Sequence, residues 1–192
     1  LSVDAFWMSN EISNAEFREF VIWAKRNPDK KLYKSQYSVV VVSDKKKGIM
    51  KDTSIVQIIP IEVSSFISNM QDTLSLDKSN KRYKGYCTNK KYNDYPVVGV
   101  SFKMAEYYCL WKTMMENEQM KKKGLPNIQS YRIPTETEWE YVAQQPVSKK
   151  EGSGSSQNII KVNSGDINDW GLFHFDNNVS EWVSSKKAED GI

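Results

Sequence analysis

Three carboxylates crowd one short stretch, Glu136, Glu138 and Glu140, and closely set carboxylates are what general acid–base chemistry asks for. At these spacings the three read as not sharing one helical face. Glu138 also stands three residues after Thr135, where a carboxylate closes a capping box. The acids therefore read as structure rather than catalysis. The two thiols, Cys87 and Cys109, lie in different parts of the chain. Far apart in sequence, they read as one buried small side chain and one surface thiol. His174, the one histidine, sits between Phe173 and Phe175 and reads as packed or exposed. A zinc centre wants several His or Cys ligands, and a lone histidine argues equally against a Ser-His-Asp triad. Gly152-Ser153-Gly154 lacks the Lys-Ser/Thr that follows a phosphate loop.

Composition narrows the classes further. The 192 residues carry 27 basic and 24 acidic side chains, a net charge of +3. That balance implies neither nucleic acid nor a membrane on charge alone. The lysine clumps at 45–47, 121–123 and 149–150 read as solvated loops. Aromatics make up 12% of the chain, which argues against disorder and for an aromatic core or recognition surface. No run approaches the roughly 18 apolar residues needed to span a bilayer; the stretch 55–67 is broken by Pro60 and Glu62. The chain starts at Leu1 rather than Met, which reads as a processed or trimmed form.

The elements that would position these residues are unevenly legible. Residues 3–8 alternate weakly and predict a strand. Ser13 and Glu16 form a capping box, and Phe17, Phe20, Val21 and Ala24 follow as one helical stripe that Asn27-Pro28 ends. Residues 37–42 and 55–63 predict strands, the second held to an edge or bent by Pro60, with 44–48 a turn and 71–80 a polar loop. Tyr83, Tyr86, Tyr92 and Tyr95 gather ahead of a helix capped by Ser101, whose inner face is Met104, Tyr108, Trp111 and Met115. Gly124-Leu125-Pro126 stops it. Residues 131–133 read as extended before Pro134. Thr135 opens a third helix with Trp139, Val142 and Ala143 inward, which stops near Pro146. Residues 148–157 are linker-like. From Asn158 onward the mix of Asn, Asp, Gly and aromatics predicts an irregular, hydrogen-bonded core, and residues 184–192 read as a frayed tail.

Several blocks resemble the formylglycine-generating-enzyme, or sulfatase-modifying-factor, domain. They are Phe6-Trp7-Met8 with residues 10–17, then Tyr95-Pro96-Val97-Val98-Gly99-Val100-Ser101 running on to Trp111. Next comes Arg132-Ile133-Pro134-Thr135-Glu136-Thr137-Glu138-Trp139-Glu140-Tyr141. The last are Gly171-Leu172-Phe173 and Asn178-Val179-Ser180-Glu181-Trp182. They stand in the family's order and cover a little under half the chain. The resemblance implies an α+β, C-type-lectin-like formylglycine-generating-enzyme fold of a few helices and short twisted strands. It also implies a single domain over 1–192 with an insertion at about 27–94, and an Arg132 that pairs with a buried carboxylate.

The family's enzymes oxidise a substrate cysteine with copper held by a cysteine pair downstream of the last block. Ten residues follow Trp182 and none is Cys, while Cys109 matches a structural cysteine, so the expectation is no enzyme and no catalytic residue. The resemblance narrows to the non-catalytic branch found in gliding-motility and type IX secretion lipoproteins. It implies a scaffold in a cell-envelope complex, with other protein subunits as partners, no nucleic acid, a periplasmic outer-membrane location and an N-terminal lipid ahead of Leu1. An oxidase completed by a fuller chain and a lectin-like ligand-binding module are the alternatives. Family enzymes also bind calcium at the loop corresponding to Asp176, Asn177, Val179 and Glu181, with Asn178 among its oxygen donors. Asn177 stands where the family has Gly, and Asn tolerates the left-handed backbone that such a turn needs. Against calcium stands the reading that Glu181 and Asn178 hold the loop by internal hydrogen bonds.

Overall fold

Helix α1 (Asn14–Arg26) begins on the expected capping box. Ser13 Oγ accepts the Glu16 N–H at 3.3 Å, and Glu16 Oε2 accepts the Ser13 N–H at 2.9 Å, so two otherwise orphaned amides are satisfied. The computed structural model describes residues 3–44, 49–69, 83–148, 158–175 and 178–185. After α1 the chain forms an antiparallel pair, β1 (Lys31–Asp44) and β2 (Ile49–Glu62), in unbroken register from Lys31↔Glu62 to Asp44↔Ile49. Two short 3₁₀ turns follow, Val63–Ser65 and Ile67–Asn69.

Helix α2 (Phe102–Lys122) is capped by Ser101, whose Oγ accepts the Met104 N–H at 3.3 Å. It closes on Gly124 at φ 68°, a left-handed position suited to glycine. Helix α3 (Glu136–Ala143) repeats the capping box with Thr135 and Glu138. Beyond it the described chain is irregular apart from two-residue strands β3 (Val147–Ser148) and β4 (Ile167–Asn168), as the Asn/Gly-rich composition predicts. The architecture is a mixed α+β one, and no described helix is long and apolar enough to cross a membrane.

Two cores hold these parts. The larger packs α1 on α2: Phe17, Phe20 and Ala24 meet Met104, Tyr107, Tyr108 and Trp111, with Leu32, Val63 and Phe66 closing the layer. Phe20 lies within 6.1 Å, ring to ring, of Phe17, Phe66, Tyr108 and Trp111. Burying each large side chain of this kind stabilises the fold by about 1.5–3 kcal/mol. The smaller core is the tyrosine cluster foreseen ahead of α2. Tyr83, Tyr86, Cys87 and Tyr92 are buried with Tyr95, Val98 and Ile159 against them, and Tyr86 Oη donates to Pro96 O at 2.8 Å.

Several expectations need correction. Residues 3–8 form no strand, because no described segment pairs with them, and Trp7 is fully exposed. The N-terminal segment pairs instead at a single bridge, Ser13↔Pro96, with the Val97 N–H donating to Ile12 O at 2.8 Å. Both hairpin strands are longer than 37–42 and 55–63 suggest, and Val63 starts a turn rather than ending β2. Ladder pairing recruits polar residues that no alternation marks. Ser184 is tied down, pairing with Thr135, whereas 186–192 lie outside the described residues. So do residues 45–48 of the expected turn, the loop 71–80 and most of the linker.

Candidate functional site

A concavity of about 550 Å³ opens between α3 and residues 174–175 and 178–183. Glu136 and Glu140 line it together. They are four apart on α3 and so share one face, which corrects the reading that the trio's spacing keeps its acids on different faces. Glu138 points away: its carboxylate accepts Arg132 at 2.6 and 2.5 Å and the Thr135 N–H at 2.8 Å. Those hydrogen bonds, Arg132 foremost, hold its carboxyl down at about 2. This is the buried partner expected for Arg132. Trp139 faces the groove rather than the core, its ring 5.5 Å from Phe175, and its indole N–H donates to Glu181 Oε2.

The opposite wall is a strap. Ser184 N–H donates to Pro134 O at 2.8 Å, and Glu136 N–H donates back to Ser184 O at 3.2 Å, which aligns the strap with the start of α3. Trp182 keeps an exposed face, but its indole N–H donates to Val100 O at 2.8 Å and its ring meets Phe102 edge-on. Here Phe102 fills the place where the family block usually has Trp.

Asn178 is the centre of the strap's hydrogen bonding. At φ 77° it adopts the left-handed backbone expected one residue earlier, at Asn177. Its Oδ1 accepts the Ile160 N–H at 2.9 Å. Its Nδ2 donates to both oxygens of Glu11, at 2.8 and 3.1 Å, and to Ile160 O at 3.3 Å. Asn10 adds a second stitch: Oδ1 accepts the Phe173 N–H at 3.0 Å and Nδ2 donates to Asn163 at 3.1 Å. The N-terminal segment is thus sewn to the C-terminal loops. Burial pushes the Glu11 carboxyl up to about 7; the Asn178 hydrogen bond works against that shift, and the charge of Glu181 adds to it. Burial also raises the Glu181 carboxyl, opposed by the Trp139 hydrogen bond and the charge of His174. Of the two settings expected for His174, packed or exposed, the first is found: it is buried, and since a carbonyl only accepts, its Nε2 donates to Lys161 O at 3.0 Å.

The calcium reading can be tested on donors. Calcium takes about six to eight oxygens. Asp176 and Asn177 lie outside the described residues. Asn178 is committed to Ile160 and Glu11, and one Glu181 oxygen to Trp139, which leaves the other Glu181 oxygen and main-chain carbonyls such as that of Val179. The described residues alone do not fit the ion, and they contain no group of three or more His, Cys, Asp or Glu placed to share a metal. Among the described residues, Asn178 and Glu181 make internal hydrogen bonds.

The cysteines are apart in function as in sequence. Cys87 is buried in the tyrosine cluster. Cys109 lies on α2, where burial pushes its thiol up to about 11, against the deprotonation that metal binding needs. No disulfide joins them. Sequence reasoning missed Asn10 and Glu11 as site-building residues. Their partners lie more than 150 positions away, and no local pattern announces such bonds.

A family model described as the sulfatase-modifying factor enzyme 1-like domain matches residues 1–191. No curated protein and no solved structure matches.

Proposed function

The chain belongs to the sulfatase-modifying factor enzyme 1-like domain family, and from that premise we propose that it is a non-enzymatic member. In this reading it is a scaffold in a bacterial cell-envelope complex for type IX secretion or gliding motility, working through contacts with other protein subunits. It would be one domain of C-type-lectin-like architecture carrying an insertion at about 27–94, periplasmic and held at the outer membrane by an N-terminal lipid. The narrower placement rests on the Tyr95–Ser101 block and the opening Phe6-Trp7-Met8.

The observation that carries the contact role is the β1–β2 pair inside that insertion. Its base is anchored, with Leu32 fully buried and Lys34 bonded to Glu106 at 2.8 Å. Residues 56–60 are all exposed, on both faces of the ribbon. Ile58 is 66% exposed, and Val56, Ile59 and Tyr33 are exposed beside it. Apolar residues on both faces are the mark of a strand buried on both sides, and a two-stranded ribbon is marginal on its own in water. A protein partner supplies the missing cover. The chemistry of the two thiols supports the non-enzymatic half: Cys109 is held protonated and Cys87 is packed among rings.

The test is capture from envelope extract with the tagged chain, beside an Ile58→Asp variant checked for an unchanged circular dichroism spectrum. Secretion or motility subunits should be retained by the parent and lost by the variant; equal capture by both contradicts the contact role. A second reading, a lectin-like ligand site, is favoured by the Trp139 and Phe175 rings beside Glu136, Glu140 and Glu181, and a glycan array without signal removes it. Calcium at Asp176, Asn177, Val179 and Glu181 is checked by titration: a rise in Tm on adding the ion supports it, and an unchanged Tm supports the hydrogen-bonded tie.

A further inference from the structure

The direction of every backbone group in the ribbon follows from one bond. The Val63 N–H donates to Lys30 O at 3.0 Å, and the pairing continues as Lys31↔Glu62, Leu32↔Ile61 and Tyr33↔Pro60. Hydrogen-bonded and non-bonded pairs alternate along an antiparallel ladder. Even-numbered residues of β1 therefore bond to β2, and the odd-numbered ones, Lys31 to Ser43, turn their N–H and C=O outward. On β2 the outward residues are the even-numbered ones, which include Pro60 and Asp52.

The two edges are not alike. Proline without an N–H and an added charge are means by which proteins block strand addition, and both stand on the outward set of β2. On β1 the one outward charge is Lys31, at the strand's first residue, and there is no proline. From Ser35 to Ser43 its sequence is Ser-Gln-Tyr-Ser-Val-Val-Val-Val-Ser, without charge, Pro or Gly and rich in strand-forming residues. Tyr33 and Ser35 are exposed, and among the described residues β1 pairs only with β2.

The charges on β1 indicate what adds there. Outward pairing between two antiparallel strands sets odd residues against odd and even against even. The charged residues of β1 are Lys31, Lys34 and Asp44. Facing a second β1, Lys31 and Asp44 have the wrong parity to oppose each other, while Lys34 and Asp44 have the right one. That register sets Lys34, whose ammonium also meets Glu106, opposite Asp44 at both ends, Tyr37 opposite Val41, and Val39 on the two-fold axis opposite itself. Opposite charges and aromatic–β-branched pairs directly across strands are the stabilising combinations, and a two-fold edge contact closes on itself.

We propose that a second copy of this chain adds to the open edge of β1, antiparallel and centred on Val39, to make a four-stranded sheet from two ribbons. The proposal rests on the ribbon being a contact element and names one of its partners. Its failure is separable from failure of the scaffold reading: a monomer removes the dimer and leaves the scaffold, while oxidase turnover does the reverse.

The test is sedimentation velocity on the whole chain, with Val39→Pro as the edge variant. The Val39 N–H points out of the ladder, so proline there removes no β1–β2 bond. The parent is expected to be a dimer and Val39→Pro a monomer with an unchanged far-ultraviolet spectrum. A cysteine pair of variants guards against misfolding. Facing hydrogen-bonded residues sit about 5.5 Å apart at Cα, within the roughly 4.4–6.8 Å that a disulfide spans. Val39→Cys should therefore cross-link into dimers under mild oxidation, while Val56→Cys on the blocked edge should not. A parent that stays monomeric at every concentration, a dimeric Val39→Pro, or equal cross-linking by Val56→Cys overturns the proposal.

Discussion

Glu138 and Asn178 show how residues that look reactive in the sequence serve as joints. Glu138 is nearly buried and held by Arg132, so its folded carboxyl sits far below the ordinary 4.5. A depressed acid adds stability that is fully present above the unfolded value and is lost as pH falls through the folded one. Unfolding free energy should therefore drop by on the order of 2 kcal/mol between about pH 5 and pH 2 through this group, a figure reduced for the half-exposed Arg132. In Glu138→Gln that part of the acid loss should vanish in urea titrations at each pH; an unaltered profile assigns the acid sensitivity elsewhere. Asn178→Ala strips the Ile160 backbone and Glu11 of partners, and leaving buried polar groups unpaired costs about 1–3 kcal/mol each. A loss of about 2–4 kcal/mol is expected in the same assay, with Asn178→Gly milder by the left-handed strain it relieves. Equal stability of Asn178→Ala and the parent contradicts the idea of a tie.

At the scale of elements, what the sequence made legible was local chemistry. The capping boxes at Ser13 and Thr135 and the cap at Ser101 each involve groups three residues apart, and the helices begin where those pairs stand. The apolar stripes of α1 and α2 are equally local. The ribbon's true length was hidden because the ladder, not β propensity, extends it through Lys34, Gln36, Lys51 and Asp52. Residues 3–8 show the converse: alternation without a partner yields no strand. Leu32 joins the ribbon to the larger core, fully buried at the second residue of β1. Leu32→Ala should cost about 2–5 kcal/mol and weaken amide protection throughout β1 in hydrogen exchange. Loss of stability with β1 protection unchanged sinks its role as the anchor.

For the whole molecule, the proposed role is that of a family shell working through its exposed apolar ribbon. The groove of Glu136, Glu140, Trp139 and Glu181 was only half legible, since α3 supplies one wall by local pattern and the strap supplies the other through bonds to the far N-terminus. Carboxylates and rings line it, Cys109 lies on α2 with a thiol pushed up to about 11, and Cys87 packs in the tyrosine core. The most direct test is mass spectrometry of a cysteine-containing sulfatase peptide incubated with the copper-supplemented protein, oxygen and a thiol reductant. The peptide cysteine should be recovered without conversion to formylglycine at any protein concentration; catalytic formylglycine formation contradicts the account.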